Sequence, residues 1–221
     1  MTYTKHFVKF LMGMFLLLFP SCDGIFENIY DSPQTSKKDE YGFVDVDLVN
    51  NIGTIYVDAS SYTRWIYLNF HDQSIDSVNI VNGGEEYAGE WDMAVHRYEA
   101  KTNDGSVLET EFTDLKTFKA AGTIPTGDFI KDVETDSTII TDMSDMINGN
   151  IGYAHGKVNL KLSEWLKRDL STMPPVYTLS NKVYVVKLKD GTKAAVKLAN
   201  IMNEVYDKGF LTINYIYPVE F

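Results

Sequence analysis

Cys22 is the only cysteine in the 221-residue chain, and it stands directly after an apolar run and Pro20-Ser21. A lone thiol in that position suits acylation of its sulfur, as in the first residue of a mature lipoprotein. It excludes an intrachain disulfide and any thiolate metal cluster. Past the leader the histidines are His71, His96 and His155, and their spacing matches no zinc motif. No Gly-rich phosphate loop, nucleophile elbow or zinc-protease helix is present. Carboxylates are abundant, but in an acidic chain near pairs arise by chance, and none is placed as a catalytic pair for glycan cleavage. The reading is therefore a protein that catalyses nothing.

The segments around these residues give the address and the architecture. Lys5 and Lys9 precede an apolar core from Phe10 to Pro20, which reads as a secretory signal too short to span a bilayer. Residues 1–21 are thus expected to be a lipoprotein signal peptide, and residues 22–40, polar and without period, a flexible tether after lipidated Cys22. Loss of Lys5 and Lys9 with the leader moves the formal charge from −11 to −13. Such a chain repels nucleic acid and anionic lipid head groups, so attachment to the membrane falls to the acyl chains.

Residues 41–221 read as one β-rich domain, all-β and antiparallel with one or two short helices. Val44, Val46 and Leu48 alternate with Asp45 and Asp47. Ile55 to Asp58 and Trp65 to Phe70 continue in strand-forming residues. Asn82-Gly-Gly84, Asn103-Asp-Gly105 and Asp190-Gly191 mark turns. The last is the clearest hairpin, with Lys187, Lys189, Lys193 and Lys197 on its watery face. One helix is expected from Ser163 as N-cap, through Leu162, Trp165, Leu166 and Leu170 at helical spacing, to Met173-Pro-Pro175. Residues 108–146 read as loops and short edge strands. His96 reads as a structural or surface histidine, His71 as a turn residue, and Met93 and Met202 as core filler.

Two blocks, Trp65-Ile-Tyr-Leu-Asn-Phe70 and the stretch from Trp91 to Gly105, put tryptophans on short strands. With Tyr184-Val-Val-Lys-Leu-Lys-Asp-Gly-Thr-Lys193 and Phe210-Leu-Thr-Ile-Asn-Tyr-Ile-Tyr217, they resemble the HmuY-like haem-binding lipoproteins, over roughly Trp65 to Tyr217. The resemblance implies a haem gripped between two loops by two axial ligands, histidines in some members and methionines in others. Without paired cysteines the haem is bound noncovalently. The two regions flanking the expected helix hold Asp142-Met-Ser-Asp-Met146 and Thr172-Met-Pro174. Met146 with Met173 is the preferred pair, Met143 the substitute for Met146, and His155 the imidazole alternative. Tyr153 and Ile151 are the expected cover for the porphyrin, and Lys157 the expected propionate partner.

Thioether sulfur is a soft, neutral donor and favours ferrous iron. The resemblance thus implies a surface lipoprotein of the outer membrane that holds haem, reduced haem more firmly, and delivers it to a TonB-dependent haem receptor. Dimerisation around haem stays open. The alternative is a structural or adhesive surface lipoprotein that shares the scaffold without haem.

Overall fold

Runs of β-branched and aromatic residues separated by tight turns build an antiparallel β domain, described by a computed structural model at residues 41–47, 52–80, 87–169, 171 and 175–221. The expected signal peptide, tether and Cys22 lie outside these residues, as do Leu48, the Asn82-Gly-Gly84 turn, Leu170 and Met173.

The larger sheet has seven strands. Its order is β1 (Gly42–Asp47), β2 (Ile52–Asp58), β15 (Lys208–Ile216), β14 (Lys193–Met202), β13 (Tyr184–Lys187), β7 (Ser106–Glu109) and β8 (Ile130–Lys131). The smaller sheet runs β4 (Ser74–Asn79), β3 (Arg64–Asn69), β5 (Met93–His96), β6 (Glu99–Thr102). Two separate hairpins complete it, β9 (Val133–Asp142) with β10 (Gly152–Val158) and β11 (Leu166–Asp169) with β12 (Val176–Leu179). The Asp190-Gly191 turn joins β13 and β14 as expected, with Gly191 at φ 91.

The central strands β3, β5 and β13 are covered on both faces, whereas the edge strands β4 and β8 are largely exposed. Ile66 and Leu68 of β3 and Tyr184 and Val186 of β13 share the main core with Trp165. The opposite face of β13, Val185 with neighbouring Val183, packs under helix α1 (Leu115–Ala121) through Leu115 and Phe118. The opposite face of β3, Trp65 and Tyr67, packs under the β9–β10 hairpin through Ile139, Ala154 and Val158. Each fully buried Val, Leu, Ile or Phe among these contributes roughly 1.5–3 kcal/mol.

Helix α1 falls in a stretch expected to be loop. Its local signals are strong: the Asp114 carboxylate accepts from Thr117 N–H at 2.9 Å, and Gly122 closes the helix at φ 63 with its N–H on the Lys119 carbonyl. The same stretch also contains the ten-residue strand β9.

The helix expected from Ser163 to Leu170 is corrected. The helical turn is α2 (Leu160–Ser163), capped by Asn159, and Ser163 ends it. The chain then becomes β11, paired in register with β12 from Leu166↔Leu179 to Asp169↔Val176. Leu162, Trp165 and Leu166 all reach the main core from one turn and a strand start, so their spacing satisfied a helical pattern without a long helix. Trp91 likewise precedes β5 by two residues instead of lying on it.

Candidate functional site

The β9–β10 hairpin carries its expected ligands at its tip. With Ile139 and Ala154 turned toward Trp65 and Tyr67, their neighbours Ile140 and Tyr153 fall on the opposite face by strand alternation. At the end of β9, Asp142 accepts from Ser144 N–H at 2.8 Å. Asp145 accepts from the side-chain amides of Asn150 and Asn148, which hold its carboxyl below the usual range. A 3₁₀ turn, Met146–Asn148, closes on Gly149 at φ 84. The polar clasps fix the loop backbone, leaving Met143 and Met146 half-buried and Ile147 95 % exposed.

These residues form one wall of a cavity of about 620 Å³, within the ~300–1,000 Å³ typical of small-molecule and cofactor sites. Met143, Met146, Ile151 and Tyr153 line it from the tip; Arg168, Pro175 and Tyr177 line it from the β11–β12 hairpin. The floor is the β5–β6 turn, where Arg97 adopts φ 52. That is a strained conformation for a side chain other than glycine. The Arg97 guanidinium donates to the Ser60 carbonyl at 2.5 Å and lies 4.2 Å from the Tyr62 ring centre. Tyr98 meets Tyr177 at 5.4 Å between ring centres.

Charge at the floor is held by a buried chain of contacts. His96 Nε2 donates to the Tyr62 carbonyl at 2.7 Å, its Nδ1 lies 3.4 Å from Glu99, and Arg168 Nη2 lies 2.7 Å from the other Glu99 oxygen. Burial works to raise the Glu99 carboxyl, but the His96 hydrogen bond and the Arg168 charge outweigh it and hold the group below its usual range. Burial pushes the Tyr98 phenol up to about 12, against the lowering charge of Arg97. Tyr98 Oη and Arg97 Nε are buried without a hydrogen-bond partner, so the floor has polar capacity left for a ligand.

The sequence-derived candidates separate accordingly. Met143, Met146, Ile151 and Tyr153 converge on the cavity. Met173 lies outside the described residues, two positions before Pro175 on the cavity's other wall. His155 is not among the lining residues; it is 64 % exposed, with Nδ1 2.7 Å from Asp136 and Nε2 3.5 Å from Glu134. Lys157 lines a different cavity, at the root of the hairpin. His96 is fully buried and His71 sits in the turn after β3, as expected, and Met93 is core. Among the described residues no three His, Cys, Asp or Glu side chains gather as a metal site. Sequence reasoning missed Tyr62, Arg97, Tyr98, Arg168 and Tyr177, which only the folding of distant strands brings together.

The donor set fits a haem. Soft thioethers, aromatic and aliphatic cover, and two guanidiniums suited to carboxylates are the groups an iron porphyrin needs.

The chain is similar to the crystal structure of a candidate HmuY-like heme-binding protein from Bacteroides vulgatus, with 52 % identity over 82 % of this chain and 100 % of that one, at a TM-score of 0.77. A candidate lipoprotein from Bacteroides fragilis is 45 % identical over 84 % of this chain and 98 % of that one, also at 0.77. The apo HmuY analog of Tannerella forsythia is 27 % identical over 73 % and 93 %, at 0.63. No curated protein matches the sequence. The model of the HmuY protein family matches residues 61–215, and the chain belongs to that family.

Proposed function

We propose that this protein binds haem noncovalently in the cavity between the tip of the β9–β10 hairpin and the β11–β12 hairpin. The observation that carries the reading is the convergence of Met143, Met146, Ile151 and Tyr153 with Arg97 and Arg168 on one cavity of cofactor size. Met146 and Met173 are the proposed axial ligands, with Met143 as the alternative to Met146 and His155 as the imidazole alternative. Arg97 and Arg168 replace Lys157 as the proposed propionate partners, because they line this cavity and Lys157 lines another.

In this reading the haem supplies the iron and the protein supplies soft axial donors. Two neutral sulfurs leave the extra charge of ferric haem uncompensated, so the reduced form is held more firmly. The rings of Tyr98, Tyr153 and Tyr177 exclude water from the porphyrin faces. The protein is a carrier: it is lipid-anchored at Cys22, exposed on the outer membrane, and passes haem to a TonB-dependent receptor. Similarity to the Bacteroides fragilis lipoprotein supports the anchor.

The test is a haem titration followed by absorbance, in air and in dithionite. A saturable Soret band with sharp ferrous α and β bands, and tighter binding on reduction, is the expected result. Tight ferric binding that reduction does not strengthen would move the ligand to His155. No saturable change in either state would leave a scaffold without haem, the structural or adhesive lipoprotein.

A further inference from the structure

A second cavity, of about 400 Å³, lies at the root of the β9–β10 hairpin, the end opposite the methionines. Its lining includes Trp91, Lys101 of β6, Asn103, Lys131 at the end of β8, Asp132 between β8 and β9, and Lys157 of β10. Three ammonium groups thus reach one concavity from three strands, in a chain whose acidic residues outnumber its basic ones by 31 to 20.

The three lysines differ in kind. Lys101 is 5 % exposed, and its Nζ lies 4.6 Å from the Trp65 ring centre, 5.2 Å from Tyr67 and 5.4 Å from Trp91. A cation held against aromatic faces and out of water acts through a low local dielectric, where its attraction for an anion is strongest. Lys131 and Lys157 are exposed at the rim and form no ion pair with any described residue.

Asp132 shares the floor with Lys101: burial raises its carboxyl while its hydrogen bonds and the Lys101 charge work against that rise. Its two oxygens accept from Thr102 N–H at 2.7 Å, Thr102 Oγ1 at 3.0 Å and Asn159 Nδ2 at 2.8 Å, which anchors it there. Asp104 faces Lys189 at 4.0 Å. The Asn103 amide donates to the Trp91 carbonyl at 2.8 Å and fixes the wall beside the indole. With three lysines against two aspartates, the lining keeps a positive excess that a ligand can neutralise.

We propose that this cavity binds a small organic or inorganic polyanion through clustered oxyanion groups, with Lys101 at its floor and Lys131 and Lys157 closing over it. The shared chemistry is the clustered oxygens of a polyphosphate or a polycarboxylate. The proposal is independent of haem.

The test is calorimetric titration of the purified protein with inorganic pyrophosphate and, separately, citrate, at constant ionic strength. At least one should bind saturably, and the one that binds identifies the phosphate or the carboxylate source. In the double variant Lys131→Gln with Lys157→Gln, that affinity should fall by about tenfold or more while the thermal unfolding midpoint without ligand stays in place. No saturable heat with either probe, or equal affinity in the variant, would overturn the proposal.

Discussion

Arg168 Nη2 lies 2.7 Å from Glu99 Oε1, an ion pair that ties β11 to the start of β6 across the floor of the methionine cavity. The Glu99 side chain is 2 % exposed and that of Arg168 27 %. Removing the cation leaves a buried carboxylate with only His96 beside it. Arg168→Met should therefore destabilise the fold by about 2 kcal/mol in urea unfolding, short of the ~3–5 kcal/mol of a fully enclosed pair. Adding Glu99→Gln should recover most of that loss. A depressed carboxyl contributes stability above its unfolded value near 4.5 and loses it as pH falls through the folded value. Arg168→Met should then lose less stability on acidification than the parent.

Asn159 is fully buried and does three jobs with one side chain. Its carbonyl caps α2 by accepting from Leu162 N–H at 2.9 Å; its amide donates to the Ile130 carbonyl at 2.9 Å and to Asp132 at 2.8 Å. Asn159→Ala removes the cap and strips a donor from a buried carboxylate. The expected cost is about 2–4 kcal/mol, read from the urea midpoint at unchanged slope. Asn159→Asp should fare no better, because it sets a second carboxylate against Asp132.

His71 links two turns distant in the chain, with Nδ1 3.1 Å from Asp92 and Nε2 3.0 Å from Asp190 in the β13–β14 turn. Burial opposes the charged ring, but the two carboxylates outweigh it and raise its pKa above 6.5. A raised histidine contributes stability fully below pH 6.5 and loses it as pH rises through the folded value. The side chain is 41 % exposed, so solvent screening keeps the effect below about 1 kcal/mol. Unfolding midpoints should fall modestly from pH 6 into the alkaline range. The fall should be absent in His71→Gln, and an equal fall there would assign it to another group.

What could be read in advance follows from where each signal resides. The Asp190-Gly191 hairpin was legible because two turn residues and the flanking strands carry its whole geometry. The methionine loop was legible because thioethers in polar sequence lack a local core. Helix α1 had its caps in plain view, Asp114 and Gly122, but only Leu115 and Phe118 are buried, too few for a periodic apolar stripe. Leu162, Trp165 and Leu166 fit a helix and a turn-plus-strand equally, and only pairing with β12 decides between them. Arg97 and Arg168 had no shared signal at all. They line one cavity because β11–β12 folds back over the β5–β6 turn.

The ligand assignment makes the sharpest prediction. Loss of outer partners around a metal site commonly costs ~10–100-fold in affinity, so loss of both axial ligands should cost more than about a hundredfold. Met146→Ala with Met173→Ala should abolish the sharp ferrous bands and weaken haem binding to that extent. Met143→Leu, which keeps an apolar side chain of similar volume on the cavity wall, should leave the spectrum intact if Met146 is the ligand. The reverse pattern, with the spectrum lost in Met143→Leu and kept in Met146→Leu, would assign the tip ligand to Met143. His155→Ala serves as the third arm. Its ring is exposed and held by Asp136 and Glu134, so its removal should change neither the bands nor the affinity. A double methionine variant that keeps both spectrum and affinity would remove the thioether site altogether.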